Sequence, residues 1–113
     1  MAGFEVSTEG YEKKNIFVAE CKFWKGKAQH LKTIDQILSY LTWRDSKTAI
    51  VYFVTGKEIT PVLAEIRART GEHKDFVRRL GEKDPSWQMY EFHLPGDAGC
   101  KIELAVLTFH IPR

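Results

Sequence analysis

With 113 residues, 43% hydrophobic and 28% charged, the chain has the size and composition of one soluble globular domain, too short for two ordinary cores and too apolar to stay disordered. A formal charge of +2 names no partner, and two cysteines, Cys21 and Cys100, make no disulfide framework. No apolar run approaches the roughly 20 residues of a membrane helix, and the start MAGFEVSTEG lacks signal-peptide order, so a cytoplasmic location with no membrane partner is expected.

In chain order, residues 4–8 have strand composition, and TEG or KKN turns the chain into a second strand at 16–24, making a hairpin. Lys25-Gly26-Lys27 breaks that pattern, and from Gln29 to Trp43 the spacing becomes helical, with Leu31, Ile34, Ile37 or Leu38, and Leu41 on one apolar stripe. After Arg44-Asp45-Ser46, the run TAIVYFV at 48–54 reads as a central strand covered on both faces. Thr60 as cap and Pro61 at the first helical position predict a helix running to Gly71. A further short helical turn or two is expected over 72–81.

SWQMYEFHLP and CKIELAVLTFHIPR, joined through PGDAG, predict a C-terminal hairpin. Both end in Phe-His-aliphatic-Pro, which reads as histidines at strand ends and prolines that stop the strands rather than as zinc ligands, since no third ligand stands nearby. The predicted order is strand, strand, helix, strand, helix, strand, strand: an α/β domain with a mixed sheet, its parallel pair joined by the first helix.

Charge is unevenly spread. No acid occurs between Glu20 and Asp35, where Lys22, Lys25, Lys27, Lys32 and His30 are found, and such a cluster suits phosphates. A second basic run, Arg67, Arg69, His73, Lys74, Arg78 and Arg79, is interspersed with acids and is expected to be a solvated helix face. Trp24, Trp43 and Trp87 are expected to finish the core, with a protein-binding anchor as the other reading.

Strand alternation puts Glu20 and Lys22 on one face at the end of an apolar strand, a costly placement unless the charges are paired, solvated or metal-bound. In the following helix Gln36 and Tyr40 are four apart, with Trp43 and Arg44 a turn beyond, away from the apolar stripe. Glu20-x-Lys22 followed by Gln36-x-x-x-Tyr40 resembles the PD-(D/E)XK, or restriction-endonuclease-like, nuclease superfamily in its Gln-x-x-x-Tyr branch. Residues 19–54, AECKFWKG through IDQILSYLTWRD to AIVYFV, resemble the C-terminal nuclease-like domain of uncharacterised bacterial proteins.

The resemblance implies a restriction-endonuclease-like mixed sheet flanked by helices, and Mg²⁺- or Mn²⁺-dependent hydrolysis of DNA. Glu20 is then a metal ligand, the carbonyl of Cys21 another, and Lys22 the group that positions or activates the attacking water. Gln36 and Tyr40 orient the nucleophile or the scissile strand, and Lys25, Lys27, Lys32 and Arg44 reach the phosphates. The family's Asp on the preceding strand has no counterpart, because no Asp precedes Asp35; Glu5 is the best substitute, while Glu9 and Glu12 read as turn residues. A catalytically incomplete nucleic-acid-binding or protein-interaction module, a piece of a longer parent chain, and a homodimer joined at hairpin edges are the accompanying expectations. No Gly-rich phosphate loop, zinc-spaced cysteine pair or G-x-S-x-G elbow is present.

Overall fold

The computed structural model describes residues 2–7, 16–43, 46–56 and 58–111, with side chains from Val18 onward. The apolar runs with period-two alternation become strands, and the two segments of helical spacing become helices. In order these are β1 (Ala2–Ser7), β2 (Ile16–Phe23), α1 (Lys27–Ser39), β3 (Lys47–Thr55), α2 (Ile59–Thr70), β4 (Phe76–Asp84), β5 (Trp87–Leu94) and β6 (Asp97–Ile111). They form one mixed sheet in the order β1-β2-β3-β6-β5-β4. β2, β3 and β6 are parallel neighbours, and antiparallel pairs lie at both sides.

α1 starts where Gly26 takes φ 108, a conformation that costs glycine little, and it carries the chain from β2 to its parallel neighbour β3. Its residues Ile34, Ile37 and Leu38 meet Val62 and Ile66 of α2 over Ile50, Tyr52, Phe92 and Leu104 of the sheet, forming one core. Both helices therefore cover the same face. The alternate residues of β3, β5 and β6 face the other way, and no described helix covers them.

Several expectations need correction. β3 is central but covered on one face only, as its alternating burial shows. α1 ends at Ser39 rather than Trp43, because the Tyr40 and Leu41 amides fall back on the carbonyls of Ile37 and Leu38 and tighten the last turn. Leu41 still reaches the core, but Trp43 lies outside the helix and is 70% exposed. α2 starts at Ile59 after Glu58, so Thr60 is not its cap; Pro61 fits in the first turn, where an amide hydrogen has no intrahelical partner.

Residues 76–84 form edge strand β4, not helical turns. Its mainly charged sequence lacks alternation because nearly the whole strand is solvated, and it is held by pairing with β5 across three register shifts. The second basic run is consequently divided among α2, a loop and β4. Its members pair with acids, as in Arg67–Glu82 and Arg69–Glu72, or Arg78–Glu91 on the edge hairpin. Of the tryptophans only Trp24 is buried; Trp87 is exposed on β5, beneath the Lys83 ammonium at 5.3 Å. His93 and His110 stand at strand ends, as expected.

Candidate functional site

Register and alternation place Val18, Glu20 and Lys22 on the helix-covered face of β2, beside Thr48, Ile50 and Tyr52 of β3. Lys22 ends the series at the carboxyl end of the strand, where its ammonium donates to the hydroxyl of Thr33 on α1 at 3.4 Å. The Thr33 hydroxyl donates in turn to the Gln29 carbonyl at 2.9 Å, so α1 fixes the acceptor that Lys22 meets. Open α/β sheets receive ligands at this end of their parallel strands.

Glu20 is 1% exposed, and its Oε1 is buried without a hydrogen-bond partner. Burial raises the pKa of its carboxyl, and the Lys22 charge opposes the rise. An unsatisfied buried carboxylate is a destabilising feature that a cation or a proton relieves. Glu5 stands on β1 opposite Val18, two pairings away from the Gly3–Glu20 partners. Glu9, Glu12 and Arg44 lie outside the described residues.

A Mg²⁺ ion keeps several waters and takes one or two protein carboxylates, and the orphan oxygen of Glu20 fits one such ligand. Among the described residues no group of three His, Cys, Asp or Glu side chains is gathered for a metal. Gln36 is half-buried on α1, and Tyr40, just past its end, is exposed. Lys25, Lys27 and Lys32 are exposed around the β2–α1 junction and the first turns of α1, so Lys22 and three further ammonium groups cluster on one end of the domain.

Sequence reasoning missed the polar network next to this site. Thr70 donates to the Ile66 carbonyl at 2.6 Å, so its oxygen accepts from His30 Nε2, 2.8 Å away. His30 Nδ1 is then the acceptor for the Tyr52 hydroxyl at 2.5 Å. Burial, with a smaller contribution from His73, lowers the His30 pKa to about 4, which keeps this neutral tautomer at ordinary pH. Burial likewise pushes the Tyr52 phenol above its usual range. The network joins α1, β3 and α2 and thereby fixes the helix that carries Thr33. Its signal in the sequence was His30 near the apolar stripe of α1, which reads equally as a basic surface residue.

The fold defines a class, an α/β domain whose mixed sheet carries two helices on one face and an acid-lysine pair at a parallel strand end. The chain matches no known family profile, and no curated protein or solved structure matches it at a significant level. No described helix is long and apolar enough to cross a membrane.

Proposed function

We propose that this domain is a metal-dependent nuclease of the PD-(D/E)XK type, hydrolysing DNA phosphodiester bonds with Glu20 and Lys22 at its centre. One observation carries the reading: a buried carboxylate with an unsatisfied oxygen shares a strand face with a lysine held by the crossover helix. A protein core selected for stability alone gains by replacing such a glutamate with an apolar residue, so its presence points to a cation-binding task.

Bound Mg²⁺ supplies a more acidic water and neutralises phosphate charge. Glu20 would hold the ion, with Glu5 as the second carboxylate and the Cys21 carbonyl as a further oxygen. Lys22, whose ammonium donates to Thr33, would stabilise the attacking water and the developing phosphate charge. Gln36 and Tyr40 lie at the C-terminal end of α1, away from Lys25 and Lys27 at its start, and would orient the scissile strand from there. Lys25, Lys27 and Lys32 hold flanking phosphates without reading sequence.

The test is cleavage of labelled single- and double-stranded DNA with Mg²⁺ or Mn²⁺, beside an EDTA control, Glu20→Gln and Lys22→Ala. Metal-dependent cutting lost in both variants, with their circular dichroism intact, supports the reading. Wild-type cutting that persists in Lys22→Ala sinks it. The exposed Lys25, Lys27 and Lys32 also support a second reading, a module of the same fold that binds nucleic acid without cutting it. That version shifts DNA with an affinity that falls steeply with salt and falls again when Lys25 and Lys27 are replaced.

A further inference from the structure

The face of the sheet without helices is built in rows. Partners across β2, β3 and β6 put Ala19, Ala49 and Ala105 in one row and Phe23, Phe53 and Phe109 in another, four residues further along each strand. The same spacing is written three times in the sequence, as AECKF, AIVYF and AVLTF. Cys21, Val51 and Leu107 form the row between. The alanines are the floor of a trough of about 510 Å³, walled by Val51 and Leu107 and, on β5, by Met89 and Trp87.

The phenylalanines form a ridge: Phe23 and Phe53 are 5.9 Å apart between ring centres, and Phe53 and Phe109 stack at 6.1 Å. Phe23 is 56% exposed and Phe109 49%. These three rows carry no charge on β2, β3 or β6; Lys47 and Glu103, side by side in the next row, also line the trough, as does Lys83. An aromatic ridge and an alanine-floored trough of matching length on one face are the two halves of a self-complementary interface.

We infer that this face pairs with a second copy of the same chain, the phenylalanine ridge of each copy seated in the alanine trough of the other. A two-fold axis in the interface along the Cys21–Val51–Leu107 row sets each phenylalanine against the alanine four residues earlier on the same strand of its partner. Sheets packed in this way lie about 10 Å apart with strands within about 30°, a spacing that phenyl rings over alanines fill. Four strands about 4.8 Å apart, with the three apolar rows and the flanking Lys47–Glu103 and Thr55–Ile111 rows about 6.6 Å apart, cover roughly 500 Å² of flat sheet per copy, before side-chain relief is added. Two copies thus bury about 1,000 Å² or more, the size at which specific interfaces begin. A lone monomer would leave this continuous apolar surface in water.

Sedimentation velocity on the whole chain at micromolar concentrations tests the inference. A dimer is expected in the wild type. Phe23→Lys and Phe109→Lys each change an exposed side chain, so folding survives, but each places two charges in the interface and weakens association by at least about 100-fold. A wild-type monomer across the range overturns the inference and leaves the face to a different partner. A dimer that persists in both variants also overturns it, by placing the contact elsewhere, such as on the sheet edges. Neither variant touches Glu20 or Lys22, so the outcome is independent of DNA cleavage.

Discussion

The two faces of the sheet are made by the same strands yet reverse the usual rule about what is buried. Under the helices lie Glu20, His30, Thr33, Thr70 and Gln88, all polar and almost fully enclosed. On the uncovered face Phe23, Phe109 and Trp87 remain in contact with solvent. The polar groups are mostly satisfied: Gln88 donates to the Pro85 carbonyl at 2.9 Å and accepts from Tyr90, and His30 uses both ring nitrogens. Among these five Glu20 is the exception, with one oxygen left over; Arg67 Nε and Asp75 Oδ2 are further buried atoms without a hydrogen bond among the described residues. An enclosed polar group without a partner and an open apolar surface without a cover both mark places where another molecule completes the structure.

The contrast can be broken most strongly by cutting one aromatic residue from each face. Phe92→Ala, under the helices, is expected to cost about 3 to 5 kcal/mol because it leaves a cavity in a close-packed core. Phe109→Ala, compared in a Phe23→Lys background where no second copy covers the face, is expected to cost less than about 1 kcal/mol. Urea unfolding of the two variants measures the difference, and equal costs would mean that the open face is not open.

The His30 network supplies the next largest effect. Its pKa falls from 6.5 to about 4 on folding, so the unfolded chain binds the proton more readily in that interval. The neutral histidine therefore stabilises the fold fully above about pH 6.5, and about 3 kcal/mol of that contribution is lost as the pH falls to about 4. His30→Phe is expected to be less stable at pH 7, where Tyr52 and Thr70 lose their shared partner, yet to show a flatter acid limb. Unfolding midpoints of both proteins between neutral and acid pH decide it; parallel profiles would remove His30 as the group responsible.

Glu20 has the opposite sign. Its pKa is raised above the ordinary 4.5, so folding favours the protonated form. Its favourable contribution is complete below the unfolded value and is lost as pH rises through the folded one. Glu20→Gln, which cannot ionise, is expected to be more stable than wild type at neutral pH by about 1 kcal/mol while losing cleavage. A variant both less stable and inactive would identify Glu20 as a structural group. The smallest effect belongs to the edge hairpin. Arg78→Ala removes an exposed pair with Glu91 at 2.8 Å and is expected to cost less than about 0.5 kcal/mol, vanishing in high salt.

How much of this could be read from the sequence follows the range of the interactions involved. The hairpin at each end, the crossover helix and the central strand were legible because alternation, helical spacing and Gly26 are local signals. β4 was not, because a charged edge strand takes its conformation from β5 rather than from its own pattern. At the site, alternation alone put Glu20 and Lys22 together, whereas the contact between Lys22 and Thr33 spans eleven residues and depends on how α1 lies. The His30–Thr70 contact joins two helices forty residues apart in sequence, a distance over which composition carries no information.

Sequence by itself therefore determined the α/β class and the shared face of Glu20 and Lys22, since each follows from periodicity within single elements. Tertiary structure alone decided that both helices cover the same face, that Glu20 is enclosed with one oxygen unsatisfied, and that the three alanines and three phenylalanines align into rows. Those outcomes depend on strand register and on helix placement, which are fixed by contacts between elements far apart in the chain.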